Sequence, residues 1–293
     1  MDIQSLFSVK VPPLPPFPIH TPQPTNPPQD KVVLVTGGAK GIGLMISEAF
    51  IRNGARVYIA SRDAAACSSA CDSLNALPGV SPGSAIPLPT DLASQAECER
   101  LAKDISAREK KLHVLVNNSG ATWGEPYDAY PESAWKKLLT LNLHRVFTLT
   151  QLLTPLLTAA GEASRTTPDG PVLDPGRVIN IGSIDALRVP FLPTFAYSAS
   201  KAGLHHLSRH LAVELGPRGI TSNTLACGPF PSKMMAATLK EFGEEIRAAN
   251  PLGRIGLPGD VGGACIFLAS KAGAFVNGAT IAVDGGVALM SKI

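Results

Sequence analysis

The chain has 293 residues, 45% of them hydrophobic and 17% charged, and carries a net charge of +3. This composition suits one α/β domain with a buried core and excludes wholesale disorder. The basic residues gather in no run or arm, so no nucleic acid is expected as a partner. No apolar stretch reaches the roughly 18 residues that a membrane span needs.

Residues 1–30 divide from the rest by composition. After MDIQSLFSVK, the stretch VPPLPPFPIHTPQPTNPPQD is dense in proline, which permits neither helix nor central strand and predicts a disordered, extended segment. Pro12-Pro13-Leu14-Pro15 has PxxP spacing, although such spacing arises readily in any proline-rich tether. From Lys31 onward, short apolar runs alternate with helical stretches, so residues 31–293 read as one domain. VVLVTGG (32–38) reads as a buried strand entering a glycine turn, and IGLMISEAFIRNG (42–54) as a helix stopped by Gly54. A strand over 55–62, a helix over 63–77, a strand over 83–91, a helix over 94–109 and a strand over 112–120 follow. A long helix is expected over 132–159, broken at Pro155, then a breaker-rich loop to Gly176 that reads as a tolerated insertion. A strand over 176–183, a helix over 196–215, a strand over 220–228 and a closing strand over 279–286 complete the series. Repeated β-α-β alternation predicts a single-domain, doubly wound parallel sheet, Rossmann-like, with helices on both faces.

Cys67, Cys71, Cys98, Cys227 and Cys265 are an odd set with no signal peptide ahead of them, and read as reduced thiols in an intracellular compartment. Cys67 and Cys71 stand four apart, but neither a histidine nor a second cysteine pair completes a zinc site, so no metal is expected.

Thr36-Gly37-Gly38-Ala39-Lys40-Gly41-Ile42-Gly43 lies where the first strand meets the first helix. Glycines there let the backbone approach a pyrophosphate, and the helix N-terminus supplies free N–H groups with a partial positive charge. The spacing is G-x-x-x-G-x-G, not the commoner G-x-G-x-x-G. At the end of the second strand, where NAD-binding folds carry a carboxylate for the ribose, stand Ser61 and Arg62. Arg62 can pair with a 2′-phosphate in a fork geometry and Lys40 adds a second cation, which favours NADPH over NADH. Asp63 beside them reads as a helix cap.

Tyr197-Ser198-Ala199-Ser200-Lys201 sets a tyrosine and a lysine four apart on one helix face. An adjacent ammonium favours the phenolate, which suits the tyrosine to exchange a proton with a carbonyl oxygen. Ser183 ends the strand RVINIGS at the carboxyl edge, where its hydroxyl can donate to a substrate oxygen. Asn117-Asn118-Ser119-Gly120 ends the preceding strand at the same edge. Asn142 is a polar residue inside the apolar LLTLNLHRVF and, taken alone, reads as a satisfied core amide.

Taken together, these residues resemble the short-chain dehydrogenase/reductases over Lys31 to Gly286. TGGAKGIG resembles that family's cofactor loop, NNSG its N-N-A-G segment and YSASK its active-site motif. The resemblance implies an NADP(H)-dependent enzyme in which Tyr197 is the catalytic acid/base and Lys201 lowers its pKa and holds the nicotinamide ribose. By the same resemblance Ser183 orients the substrate carbonyl and Asn142 supports a proton relay through water. The implied cofactor-binding set is Thr36, Gly37, Lys40, Gly41, Ile42, Gly43, Ser61, Arg62, Asp91, Asn117, Gly120, Tyr197, Lys201 and Pro229, with Asp91 at the adenine and Asn117 at the cofactor wall. Where the family usually reads Pro-Gly after the sixth strand, this chain has Cys227-Gly228, which implies a less rigid backbone beside the nicotinamide.

SIDALRVP and GPFPSKM are similar to segments of 3-oxoacyl reductases of the rhamnolipid-synthesis type and their fungal relatives. That similarity implies reduction of a 3-oxoacyl thioester or polyketide-like ketone, a small-molecule carbonyl substrate, to a secondary alcohol. Phe191, Leu192, Phe195, Phe230, Met234 and Met235 are candidates to border such a substrate, or equally are plain core and flap residues. The family commonly forms dimers or tetramers, so a homo-oligomer is implied. The alternatives are an NADP-dependent alcohol dehydrogenase running oxidatively and a cofactor-binding regulatory or interaction protein. The final Ser291-Lys292-Ile293 departs by one residue from the S-K-L peroxisomal address, which leaves the cytoplasm and the peroxisome as destinations.

Overall fold

The apolar runs read from the sequence become seven strands of one sheet. These are β1 (Val32–Thr36), β2 (Arg56–Ala60), β3 (Ser84–Pro87), β4 (Val114–Asn117), β5 (Gly176–Ile181), β6 (Ile220–Cys227) and β7 (Thr280–Val283). They lie in the order β3-β2-β1-β4-β5-β6-β7 with every pair parallel. The structure is a computed structural model that describes residues 29–78 and 83–290. The PxxP segment, nearly all of the proline-rich extension and the C-terminal tripeptide lie outside the described residues. The doubly wound, Rossmann-like sheet expected from the alternation is what forms, and its order reverses between β1 and β4.

Strand β1 shows why the sequence reads as an unbroken apolar run. Val33 and Val35 pack with Ile46 and Phe50 of α1 (Gly41–Arg52) and with Val261 and Leu268 of α8 (Pro258–Ala269). Val32 and Leu34 point the other way, into a cluster with Leu101 of α3 (Gln95–Arg108), Leu153 of α5 (Arg145–Glu162) and Leu211 of α6 (Phe195–Leu215). With helices on both faces, neither side of the strand can be polar. Helix α2 (Ala64–Asn75) adds Cys67 and Cys71 to the first cluster, and all five cysteines are buried and free. Among the described residues no helix is long and apolar enough to cross a membrane.

Three expectations are corrected. The long helix does not break at Pro155; α5 runs through it, because Pro155 lies on the exposed face next to solvent-facing Gln151, whose freed carbonyl reaches water. The interruption falls earlier, at a π turn (Thr140–His144) between α4 (Glu132–Leu139) and α5. Two helices, α7 (Ala236–Ala248) and α8, occupy a stretch for which no element was read. Helix α8 is apolar and glycine-rich, so it lacks a clear helical period. Its Gly262 approaches α1 so closely that a Cβ there would sit 2.7 Å from Ala49 Cβ.

The loop between α5 and β5 is more than a tolerated insertion. Its Asp174 accepts from Lys31 Nζ at 2.8 Å and from Arg177 Nη2 at 2.9 Å. The same cations also reach the last carbonyls of α8, Lys31 at Ala269 and Arg177 at Leu268 and Ser270. One carboxylate thus joins the start of β1, the start of β5 and the end of α8.

At the same end of the sheet, Nδ1 of His113 accepts the Val32 N–H at 2.9 Å. Burial first, then the Lys31 charge, holds its pKa down at about 4 against an ordinary 6.5. His205, 3% exposed, is lowered likewise to about 4, again chiefly by burial. A folded pKa below the unfolded one means that stability is complete above pH 6.5 and drains as pH falls through 4. The loss should reach roughly 3 kcal/mol per histidine. Denaturant melts between pH 7.5 and 4.5 should therefore show falling midpoints, and His113→Gln should flatten that slope by about half.

Candidate active site

The carboxyl ends of the strands open into one cleft of about 1410 Å³ that crosses the β1/β4 reversal. At its floor the glycine loop turns from β1 into α1. Gly37 and Gly41 adopt positive φ, +65° and +55°, which side chains other than glycine's resist. A Cβ on Gly43 would meet the Gly37 carbonyl oxygen at 2.2 Å, so the loop and the first turn of α1 can close on each other only as glycines.

Gly37, Lys40, Gly41, Ile42, Gly43, Ser61, Arg62, Asp91, Gly120 and Pro229 all line the cleft, as the sequence reading placed them. Thr36 and Asn117 do not. Thr36, 2% exposed, accepts the N–H groups of Asn118 and Ser119 on its hydroxyl at 2.9 and 3.0 Å and donates to the Val116 carbonyl. It clamps the ends of β1 and β4 together. Asn117 points into the sheet, donating to Asn180 Oδ1 at 2.9 Å and to Thr150 at 3.2 Å. The residue the reading passed over is Asn118, which lines the cleft and donates its amide to the Thr36 carbonyl at 2.8 Å. Successive strand residues face opposite ways, and the doubled asparagine carries no sign of which one faces out.

Lys40 and Arg62 stand at the same end of the cleft in different states. Lys40 Nζ is paired with Asp63 at 2.9 Å, and Asp63 also caps α2 by accepting the Ala66 N–H at 3.0 Å. The Lys40 contact and the cap hold the exposed Asp63 carboxyl below its usual range. Arg62 has no ion-pair partner among the described residues, and no carboxylate side chain stands at position 61. These residues fit a dinucleotide bearing an additional phosphate on its ribose.

Toward the middle of the cleft, α6 brings Tyr197 and Lys201 beneath the end of β5. Lys201, 5% exposed, donates to the Ile181 carbonyl at 2.7 Å, and its Nζ lies 5.8 Å from the centroid of the Tyr197 ring. Burial lowers the Lys201 ammonium to about 8. The Tyr197 phenol is not lowered, contrary to the expectation. Burial pushes it up to about 12; the Ser183 hydroxyl opposes this, while the Asp185 and Cys227 groups add to it. Desolvation of the phenolate leads these causes, and the tyrosine holds its proton at neutral pH. Ser183, buried at the end of β5, accepts the Asp185 N–H at 3.1 Å, and its hydroxyl stands beside the Tyr197 phenol.

Asn142 sits on the π turn, fully buried and outside the cleft lining. Both amide hydrogens are committed, one to the Ala121 carbonyl at 2.9 Å and one to Ser200 Oγ at 3.0 Å, and Oδ1 accepts the Ala121 N–H. No hydrogen remains on that side chain for a relay; the π turn rotates it inward to tie the β4 edge to α6 beside Lys201.

Cys227 does not loosen the backbone before Gly228. It is the last rung of β6, opposite Val283, and the Gly228 N–H donates to the Val283 carbonyl at 3.0 Å. Strand pairing supplies the rigidity that a proline would. Phe191, Leu192, Met234 and Met235 line the outer cleft, and Phe191 meets Phe242 of α7 edge-on at 5.6 Å. Phe230 also borders it but is 1% exposed and belongs to the core; Phe195 packs on Tyr127 and Tyr130 instead.

The family model described as enoyl-(acyl carrier protein) reductase matches residues 37–288. A rhamnolipids biosynthesis 3-oxoacyl-[acyl-carrier-protein] reductase of Pseudomonas aeruginosa is 40% identical over 258 residues, 87% of this chain and 95% of that protein. The short-chain dehydrogenase/reductase PhomF of Diaporthe leptostromiformis is 34% identical over 276 residues, 87% of this chain and 90% of that one. Among solved structures, the Pseudomonas aeruginosa RhlG/NADP active-site complex superposes with a TM-score of 0.82 at 38% identity, covering 91% of this chain and 99% of that one. Because the family match runs from the glycine loop past the last strand and the similarity to these relatives spans most of the chain, the chain is an oxidoreductase that belongs to the short-chain dehydrogenase/reductase family.

Proposed function

We propose that this protein uses NADPH to reduce the ketone of an apolar substrate, a 3-oxoacyl thioester or polyketide-like carbonyl, to a secondary alcohol. The observation that carries the reading is the meeting of a protonated Tyr197, the Ser183 hydroxyl and a buried Lys201 in the cleft that begins at the glycine loop. The 3-oxoacyl reductase name of the Pseudomonas relative and the NADP in its structure support it.

When bound, the cofactor supplies a hydride to the carbonyl carbon. Gly37, Gly41 and Gly43 would leave room for its pyrophosphate, Arg62 and Lys40 would hold the ribose phosphate, and Asp91 would border the adenine. Ser183 donates to the substrate oxygen and Tyr197 passes it a proton as negative charge develops there. Lys201 offsets the charge left on the phenol, and Asn142 acts as a positioning residue. Reduction requires the phenol in its protonated form, which Tyr197 holds at neutral pH. We further propose a homo-oligomer, with α5 and α6 at the contact; exposed Phe147 and Val213 on these helices support it, and light scattering of the purified protein tests it.

The test follows the loss of NADPH absorbance with 3-oxoacyl thioesters of increasing chain length, with NADH in parallel. Faster turnover with longer chains and with NADPH is expected; indifference to chain length or preference for NADH overturns the respective part. Arg62→Ala should raise KM for NADPH about 10- to 100-fold, the worth of one charge-assisted pair, and leave that for NADH within about twofold.

A further inference from the structure

Helix α6 carries Tyr197, Lys201 and His205 at four-residue spacing, and the last two both grip the end of β5. Lys201 Nζ takes the Ile181 carbonyl at 2.7 Å, and the Ser183 N–H donates to Nε2 of His205 at 3.4 Å. Between these contacts the Gly182 N–H donates to the Leu225 carbonyl of β6 at 2.8 Å. The imidazole lies so close beneath Gly182 that a Cβ there would stand 2.2 Å from Nε2. Only glycine at 182 lets the histidine reach the next residue's N–H.

The ring carries an unusual burden. Since Nε2 accepts, the proton of the neutral ring sits on Nδ1, and Nδ1 is buried with no partner among the described residues. An apolar side chain would avoid that unpaired N–H. What histidine provides here, and an apolar residue cannot, is the acceptor for Ser183. That N–H belongs to the residue that follows the strand end, past the last β5/β6 rung at Ile181 and Leu225. Without the imidazole it would be a buried donor with nothing to hold it.

We propose that His205 is a positioning residue for the reaction: by accepting the Ser183 N–H it locks the end of β5 against α6 and holds the Ser183 hydroxyl where it and Tyr197 share one carbonyl oxygen. The inference rests on the catalytic reading of Ser183 given above. A displacement of about 1 Å at such a group is enough to cost one or two orders of magnitude in rate.

A double-mutant cycle tests it. His205→Leu should lower kcat about tenfold, with KM for the ketone and the Kd for NADPH changed less than about twofold. His205→Gln, whose amide oxygen can accept the same N–H, should recover most of the loss. In a Ser183→Ala background the His205→Leu step should cost less than about twofold, because the hydroxyl it places is gone. The same tenfold loss in both backgrounds, or a glutamine variant as poor as leucine, overturns the inference. If the leucine variant fails to fold, His205→Met and His205→Gln carry the same cycle. Independently of turnover, nitrogen chemical shifts of the labelled NADP-bound enzyme should put the His205 proton on Nδ1, and a proton on Nε2 overturns the inference alone. Full activity of Ser183→Ala by itself overturns the catalytic reading, and the inference with it.

Discussion

Tyr197→Phe should lower kcat for ketone reduction roughly a thousandfold while leaving the Kd for NADPH within about twofold. The substitution keeps the ring and removes only the hydroxyl, the group that passes its proton to the substrate oxygen in the proposed reaction. Burial keeps that proton in place at about 12, and the neighbouring Ser183 hydroxyl helps to fix the phenol oxygen. Hydride arrival at the carbonyl carbon leaves negative charge on the oxygen, so loss of the proton donor falls on the chemical step. Steady-state kinetics with a 3-oxoacyl thioester, beside fluorescence titration of NADPH, separates the two quantities. Turnover near the parent value in the variant would remove Tyr197 from the mechanism.

Asp174→Asn should cost about 3 kcal/mol of stability and lower the melting temperature by about 10 °C. The side chain of Arg177 is 1% exposed and that of Lys31 12%, and Asp174 is the only carboxylate that pairs with either among the described residues. Asparagine keeps the shape but removes the charge, leaving two buried cations facing one another. Replacing a charge-pairing partner inside a protein is costly because the remaining charge has no water to turn to. Because the cluster lies at the opposite end of the strands from the cleft, kcat at 20 °C should stay within about twofold. A melting point within 2 °C of the parent, about the shift that half a kilocalorie would produce in a chain of this size, would show that solvent reaches the pair.

The fold was legible because burial on both faces of a parallel sheet leaves a coarse record: short apolar runs such as VVLVT, which enters a glycine turn. Tyr197 and Lys201 were legible for a similar reason, since helical spacing alone places residues four apart on one face. The helices after Gly228 were not, because α8 is apolar around its circumference and α7 is interrupted at Phe242, so neither shows a clean period. The two neighbouring asparagines illustrate the finer limit. Asn117 and Asn118 are identical in type and adjacent, yet one ties strands together inside the sheet and the other faces the cleft.

By itself the amino-acid order determined the strands, most of the helices, the doubly wound parallel sheet and most of the motifs at its carboxyl edge. Periodicity and glycine placement are local properties of the chain, and they carry that much. Tertiary structure alone decided the charge states and the spent hydrogen bonds. It raised the Tyr197 phenol by desolvating its phenolate, committed both amide hydrogens of Asn142, and paired Lys40 with Asp63 while Arg62 has no ion-pair partner among the described residues. It also brought His205 under Gly182, a contact between residues 23 apart that no spacing rule encodes. Protonation and hydrogen-bond partners depend on what surrounds a group in space, and those surroundings exist only once the sheet and helices have packed.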